Sequence, residues 1–470
     1  MPTLHLGSIF SLSLPIAPVL RRFLPVALLL APLAASAQDA EISPASTAWM
    51  LAAAALVLLM TPALAFFYGG LVRAKNMLNT MMMSVASMGI VAVGWALLGY
   101  SLAFGEGGGP FTGGLGYAFL NGVGLEASGE IPHLLFAIYQ GTFVVITAAL
   151  ISGAVVERMR FVPYLAFITI WSLVVYAPVA HWVWSADGWI FGIDALDFAG
   201  GTVVHVNAAA AALVAALVVG PRKDYGRQAI VPHNVPFVLL GAGLLWFGWF
   251  GFNAGSALGA NTSAALAFAN TFLAPAATIT VWTFLDLGYG RKVTAVGAAT
   301  AIVVGLVAVT PAAGHVPPLG AMAIGAIGAF PSYFAIHYRT RTRLDDSLDV
   351  VAAHGLGGAV GALLTGVFAS TAWGGGADGL LFGNPGQLWP QFLSIVAVAA
   401  YSGALSFVIL KGISLVTALR SSDAYEGAGL DVGDHGEEAY ARGEGAVLVL
   451  DAEAPADVRA AVAAPTPATV

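Results

Sequence analysis

Two histidines in this sequence, His205 and His354, have the type and setting to handle a proton. Each lies eight residues after an aspartate, Asp197 in DFAGGTVVHVNAA and Asp346 in DDSLDVVAAHGLGG, and each leads into a run of small and apolar residues. An imidazole titrates near neutral pH and can both donate and accept a hydrogen bond. Two of them side by side would form a proton route or a polar rail for a small solute. A lone histidine in an apolar segment is explained by a bond to a backbone carbonyl, but two in the same pattern argue for a shared role. The aspartates suit a different task. An Asp just ahead of a helix caps its free N–H groups, so Asp197 and its counterpart Asp346 are read as structural.

The elements that carry these residues follow from composition. Hydrophobic residues make up 59% of the 470 and charged residues 9%, and apolar windows of about 20 residues recur, which defines a polytopic all-α membrane protein. Cysteine is absent, which excludes disulfides, thiolate metal sites and a cysteine nucleophile. At the N-terminus Arg21-Arg22, the apolar FLPVALLLAPLAA and Ala35-Ser36-Ala37 read as a removable signal peptide over residues 1–37. Eleven windows follow, starting near Thr47, Thr80, His133, Phe161, Phe198, Val235, Thr262, Val293, Leu319, Asp349 and Leu388.

Every Lys and Arg beyond the signal segment falls in alternate connections or in the C-terminal region, from Arg73 and Lys75 through Arg339, Arg341 and Arg343 to Arg459. The positive-inside rule therefore sets the N-terminus outside and the C-terminus inside. The other connections carry Glu106, Glu126, Glu130, Asp187, Asp194 and Asp378, which would enrich cations at the outer mouth. The Asp–His pattern sits in the fifth and tenth spans, and an offset of five reverses its direction. That is the mark of an inverted five-plus-five repeat with its site at the midplane, followed by an eleventh helix. Eight residues of helix put each His about 12 Å in from its Asp. Across a core about 30 Å thick the axial gap left between the imidazoles is about 6 Å. Gly201, Ala208, Ala212 and Ala216 in one span and Gly357, Gly358 and Gly361 in the other would let the backbones approach.

Aromatic residues gather in IYQGTF (138–143), HWVW (181–184) and LLWFGWFGFNAGSA (244–257). Any of them could be helix packing or an interfacial belt, and Trp182 is assigned to the belt. The residues alone describe a narrow, aromatic-mouthed pore with an imidazole pair at its centre. A bis-His cytochrome of b type is the rival, though the Gly and Ala of the His-bearing faces leave little room for a haem. The Gly-rich stretch GEGGGPFTGGLG lacks the Lys-Ser/Thr of a phosphate loop.

The segments DFAGGTVVHVNAA, GWFGFNAGSA, VVERMRFVPY, HWVW, TPAAG and GLDVGDHGEEAY together resemble the ammonium transporter (Amt/MEP/Rh) family, and the match runs from about Thr47 to Tyr440 in the right order. The resemblance implies an eleven-helix, inverted-repeat homotrimer in the inner membrane, each subunit with its own pore for ammonium or ammonia, with methylammonium as a second solute. It implies an outer recruitment site at Trp184 and Ser256, a stacked gate of Phe143 and Phe252, and Tyr139 lining the vestibule. Trp249 would pack beside the gate, Thr310 would stand near the lower pore, and His205 with His354 would be the twin histidines. Asp197 would match the aspartate that shapes the recruitment site. By the same resemblance residues 38–420 form the transport domain, and 421–440 a cytoplasmic tail contacted by a PII-type (GlnK-like) signal protein. Some members of the family are ammonium sensors that signal through a partner. Residues 441–470, acidic and rich in Ala and Pro, read as disordered. No cofactor, metal, nucleic acid or enzymatic reaction is expected.

Overall fold

The computed structural model describes residues 41–440, so the signal-peptide reading (1–37) and the C-terminal extension (441–470) lie outside the described residues. Among the described residues, eleven helices are long and apolar enough to cross a membrane. They are α1 (Pro44–Leu71), α2 (Ala74–Phe104), α3 (His133–Ser152), α4 (Phe161–Trp184), α5 (Gly201–Val219), α6 (Val235–Gly255), α7 (Thr262–Gly288), α8 (Ala295–Ala312), α9 (Pro318–Arg339), α10 (Val351–Phe368) and α11 (Pro385–Ser414). The starts follow local chemistry. The side chains of Ser43, Asn234, Asn261 and Thr294 each accept a bond from a first-turn N–H of the helix they precede, and Pro44 and Pro318 occupy first-turn positions that have no donor to lose.

The packing repeats with an offset of five. Helix α1 packs on α3 as α6 packs on α8, α2 on α4 as α7 on α9, and α3 on α5 as α8 on α10. Because the offset is odd, equivalent helices run in opposite directions, as expected of the inverted repeat. Helices α1 and α6 pair with each other, and α11 lies across α4, α5 and α10. The two histidine-bearing helices share a further feature: both open with a π-helical turn, Gly201–Val206 in α5 and Val351–Leu356 in α10. A π turn widens the helix and turns the side chain it carries, and such turns gather at functional sites.

All the basic connections lie at one end of the bundle, and sequence reading missed how they are held. Arg222 grips Asp345 through Nε and Nη2 at 2.9 and 2.8 Å and reaches Glu157 at 2.5 Å, while Arg73 Nε meets the other Glu157 oxygen at 2.8 Å. Arg158, fully buried, donates to the carbonyls of Asp345 and Ala154. Burial alone would push Glu157 and Asp345 up, but the neighbouring guanidiniums hold both carboxyls below the usual carboxylate range. The tail docks at this end as well: Asp431 accepts from Asn79 N at 2.8 Å, and Leu430 N donates to Asn76 Oδ1 at 2.8 Å.

Candidate functional site

The site begins where α5 begins. Asp197 Oδ1 accepts from the N–H groups of Gly200 (2.9 Å) and Gly201 (2.6 Å), and Oδ2 accepts from Thr202 N (2.8 Å), Thr202 Oγ1 (2.5 Å) and Val203 N (3.3 Å). One carboxylate thus satisfies the free donors of a buried helix start, helped by Gly200, whose φ of +113° few other residues adopt. The Asp197 carbonyl in turn accepts from Trp184 Nε1 at 2.9 Å, so the same residue fixes the indole. Asp346 is not its equal. Only Oδ2 is engaged, by Val351 N at 2.7 Å, and Oδ1 is buried without a partner.

Four residues into α5, His205 Nδ1 lies 3.2 Å from His354 Nδ1 of α10. His205 also stacks on Trp249, with ring centroids 5.5 Å apart and planes at 24°. The approach depends on Gly358, where a Cβ would sit 2.9 Å from Gly201 O and 3.0 Å from His205 Cβ. The other two α10 glycines assigned to this contact do not serve it: a Cβ on Gly357 or Gly361 would meet Val307 or Ala308 of α8.

Beyond the pair, toward the end opposite the basic connections, the Phe143 and Phe252 rings stack at 4.2 Å and 23°. Above them lies a cavity of about 130 Å³ walled by Phe143, Trp184, Ser256, Gln140 and Phe198. Trp184 meets Phe143 edge-on at 5.8 Å. Ser256 Oγ donates to Phe252 O at 2.8 Å, which leaves its lone pairs to accept. Below the stack the space around His205, His354, Trp249 and Phe252 narrows to about 10 Å³. On the far side His354 borders a wide cavity of about 430 Å³, with Ser347, Asp349 and Arg339 in its wall. The chain therefore holds two vestibules separated by a stacked ring pair and a narrow imidazole-lined passage.

Three expectations need correction. Tyr139 does not line the vestibule: it is fully buried behind the wall, with its hydroxyl 3.0 Å from the carbonyls of Gly251 and Phe252. It braces the turn of α6 that carries Phe252 and Ser256. Thr310 is not near the lower pore. It stands at the vestibule end of α8, next to Pro311, whose carbonyl accepts from Phe198 N, and it is bonded to Leu306 O (2.7 Å) and Trp249 Nε1 (2.9 Å). Trp182 is no lipid-facing belt residue, being buried with Nε1 bonded to Phe111 O and its ring on Tyr401. Gln140 and Phe198 were missed. A polar residue inside the apolar α3 was the available signal for Gln140.

The bis-His cytochrome does not fit. The imidazole nitrogens face each other at hydrogen-bond distance in a passage of about 10 Å³, which holds no macrocycle.

Eleven spans around a constricted passage with a cavity on either side of it define a multi-pass membrane protein of the transporter class. The chain belongs to the Ammonium Transporter Family, whose model matches residues 48–440. It is 48% identical over 414 residues to an ammonium transporter of Aquifex aeolicus, covering 86% of this chain and 96% of the relative. It is 46% identical over 399 residues to an ammonium transporter of Bacillus subtilis, covering 84% and 98%. Among solved structures, Saccharomyces cerevisiae Mep2 matches with a TM-score of 0.77 at 34% identity, covering 82% of this chain and 88% of that one. A sensor Amt protein matches with a TM-score of 0.78 at 29% identity, covering 83% and 98%.

Proposed function

We propose that this chain takes up ammonium across the cytoplasmic membrane, recruiting the cation at Trp184 and Ser256 and passing it as ammonia beyond Phe143 and Phe252. The observation that carries this reading is the stacked Phe143–Phe252 pair, which separates an aromatic vestibule from a passage too narrow for a hydrated ion. A cation against the Trp184 face gains about 0.5 to 2 kcal/mol, and Ser256 Oγ offers it an acceptor. Stripping the ion of water costs several kcal/mol even after relaxation, so the intact cation stalls at the rings. Ammonium resembles potassium in size and charge, but only ammonium can give up a proton and continue as a neutral molecule.

Beneath the gate the imidazole pair supplies both hydrogen-bonding roles. In the neutral pair the Nδ1–Nδ1 contact needs one donor and one acceptor, so one Nε2 carries a proton and the other a lone pair. His205 Nε2 has no protein partner and is free to meet the solute. Trp249, held by Thr310, covers the flat side of His205 and keeps its ring edge toward the passage.

On this reading the basic end faces the cytoplasm, the protein is a homotrimer in the inner membrane, and a PII-type signal protein contacts the tail at 421–440. Loss of PII pull-down on truncation at Ser421 is the expected result. The matched sensor Amt protein makes sensing the second reading. Methylammonium uptake by a transporter-deficient strain expressing this chain separates the two: uptake supports transport, and intact protein without uptake supports the sensor.

A further inference from the structure

At the basic end, between the last turns of α7 and α9, lies a cavity of about 280 Å³ lined by Tyr289, Arg291, Tyr333, Phe334 and Arg341 among others. A chain of hydrogen bonds fixes its floor: Asp286 Oδ1 accepts from the Tyr333 hydroxyl at 3.0 Å, and that oxygen accepts from Arg291 Nη1 at 2.9 Å. The Arg291 guanidinium lies 5.6 Å from the centre of the Tyr333 ring and 5.7 Å from that of Tyr289. Among the described residues neither Arg291 nor Arg341 forms a salt bridge, and the Arg341 side chain makes no hydrogen bond. Beside them Phe284, Leu287 and Phe334 are exposed. The cavity therefore presents two guanidiniums with N–H groups to spare next to an apolar surface, and a peptide that carries carboxylates directly after apolar side chains matches both.

This chain contains such a peptide. In GEGAVLVLDAEAPAD (443–457), outside the described residues, four acids stand without a base, and Asp451 and Glu453 follow directly on the apolar residues 447–450. Four apolar side chains are too few to cover one another, so they need a surface from elsewhere. The peptide starts close by. Tyr440, three residues before it, is bonded through its hydroxyl to His233 and Asn234 at the start of α6, both at 3.1 Å. Helix α6 packs on α7 and α7 on α9, which places the cavity within two helix widths, about 20 Å. The eleven residues from Tyr440 to Asp451 span up to about 36 Å. The tether makes the encounter intramolecular, at an effective concentration of ~1 mM.

We propose that this cavity is the docking site of the chain's own C-terminal extension, with Asp451 and Glu453 on Arg341 and Arg291 and the apolar residues 447–450 against Phe284 and Phe334. Residues two apart in an extended peptide point the same way about 7 Å from each other, so both carboxylates face the cavity together. Arg291 is preset by Tyr333 and Tyr289 and keeps N–H groups for a carboxylate, and Arg341 adds the second pair. Docked in this way, the extension runs from the start of α6 across the end of α7 and fastens the tail at a second point beyond Tyr440.

The absence of cysteine from the sequence makes the test clean. In the purified full chain, Ala452→Cys is paired either with Tyr338→Cys, at the rim of the cavity, or with Arg227→Cys, exposed elsewhere at the basic end, and the rate of oxidative crosslinking is followed on denaturing gels and by peptide mass spectrometry. The Tyr338 pair should crosslink within one chain and faster than the Arg227 pair. Adding Arg341→Gln, or Asp451→Asn with Glu453→Gln, should slow it roughly fivefold, the upper end for exposed ion pairs. Equal rates for the two pairs, charge variants that crosslink like the parent, or crosslinks that join two chains would overturn the proposal. The Arg341 side chain has no hydrogen-bond partner to lose among the described residues, and the two acids lie outside them, so these variants keep the test open without touching the Arg291–Tyr333–Asp286 floor.

Discussion

At the residue scale the chemistry of the site rests on single atoms whose bonds are already committed. Asp197 accepts five hydrogen bonds with two oxygens, and an amide in its place would offer one acceptor and a surplus of donors. Asp197→Asn should therefore cost on the order of 1 to 3 kcal/mol and loosen Trp184 at the same time. A lower melting temperature together with reduced methylammonium uptake is the expected outcome; an unchanged melting temperature would show that the cap is dispensable. The twin histidines were legible in the sequence because helical rise alone brings two residues at matching depths together. Tyr139 and Thr310 were not, since a motif says that a residue is nearby but not which side of the wall it stands on. Their hydroxyls, bonded to α6 and α8 carbonyls and to Trp249, settle that question only in three dimensions.

At the scale of elements, the decisive contact is α5 against α10. Gly358→Val would drive a side chain into Gly201 O and His205 Cβ, and neither a backbone carbonyl nor a buried imidazole can move aside cheaply. The expected cost is about 1 to 3 kcal/mol of overpacking, read as a lower melting temperature, with uptake falling as the histidines are pushed apart. Wild-type uptake in that variant would mean that the helices have more play than their packing suggests. The eleven spans and the odd offset of the repeat could be read from apolar windows and charge placement. The π turns that open α5 and α10 could not, because a π turn leaves no mark in hydrophobic periodicity. The tail makes its own prediction. Burial pushes Asp431 up to about 6, so docking against α2 takes up a proton. Docking should be tightest below the ordinary carboxylate range and weaken as pH rises toward 6, which protease protection of the tail can follow. Protection that grows with pH over this window would contradict it.

At the scale of the whole molecule, the basic end is locked by Arg73, Glu157, Arg222 and Asp345, which join the connections after α1, α3, α5 and α9. The sequence showed the positive charges but not their partners, since pairing between distant connections is a property of the fold. Removing Arg222 leaves two buried carboxylates uncompensated, and Arg222→Ala should cost roughly 3 to 5 kcal/mol. Glu157 and Asp345 are held below their ordinary range in the folded protein. Their contribution is thus complete above that range and is lost as pH falls through the depressed values. Thermal denaturation of the wild type should show that acid loss, and the Arg222→Ala variant should show less of it. The central claim, that ammonium is selected by giving up its proton above an imidazole-lined passage, is tested most directly by currents on solid-supported membranes. In the His205→Ala, His354→Ala double variant, ammonium-evoked charge movement should be lost in its wild-type form and a potassium current should appear. Ammonium-evoked charge movement that survives intact, with potassium still excluded, would contradict the account.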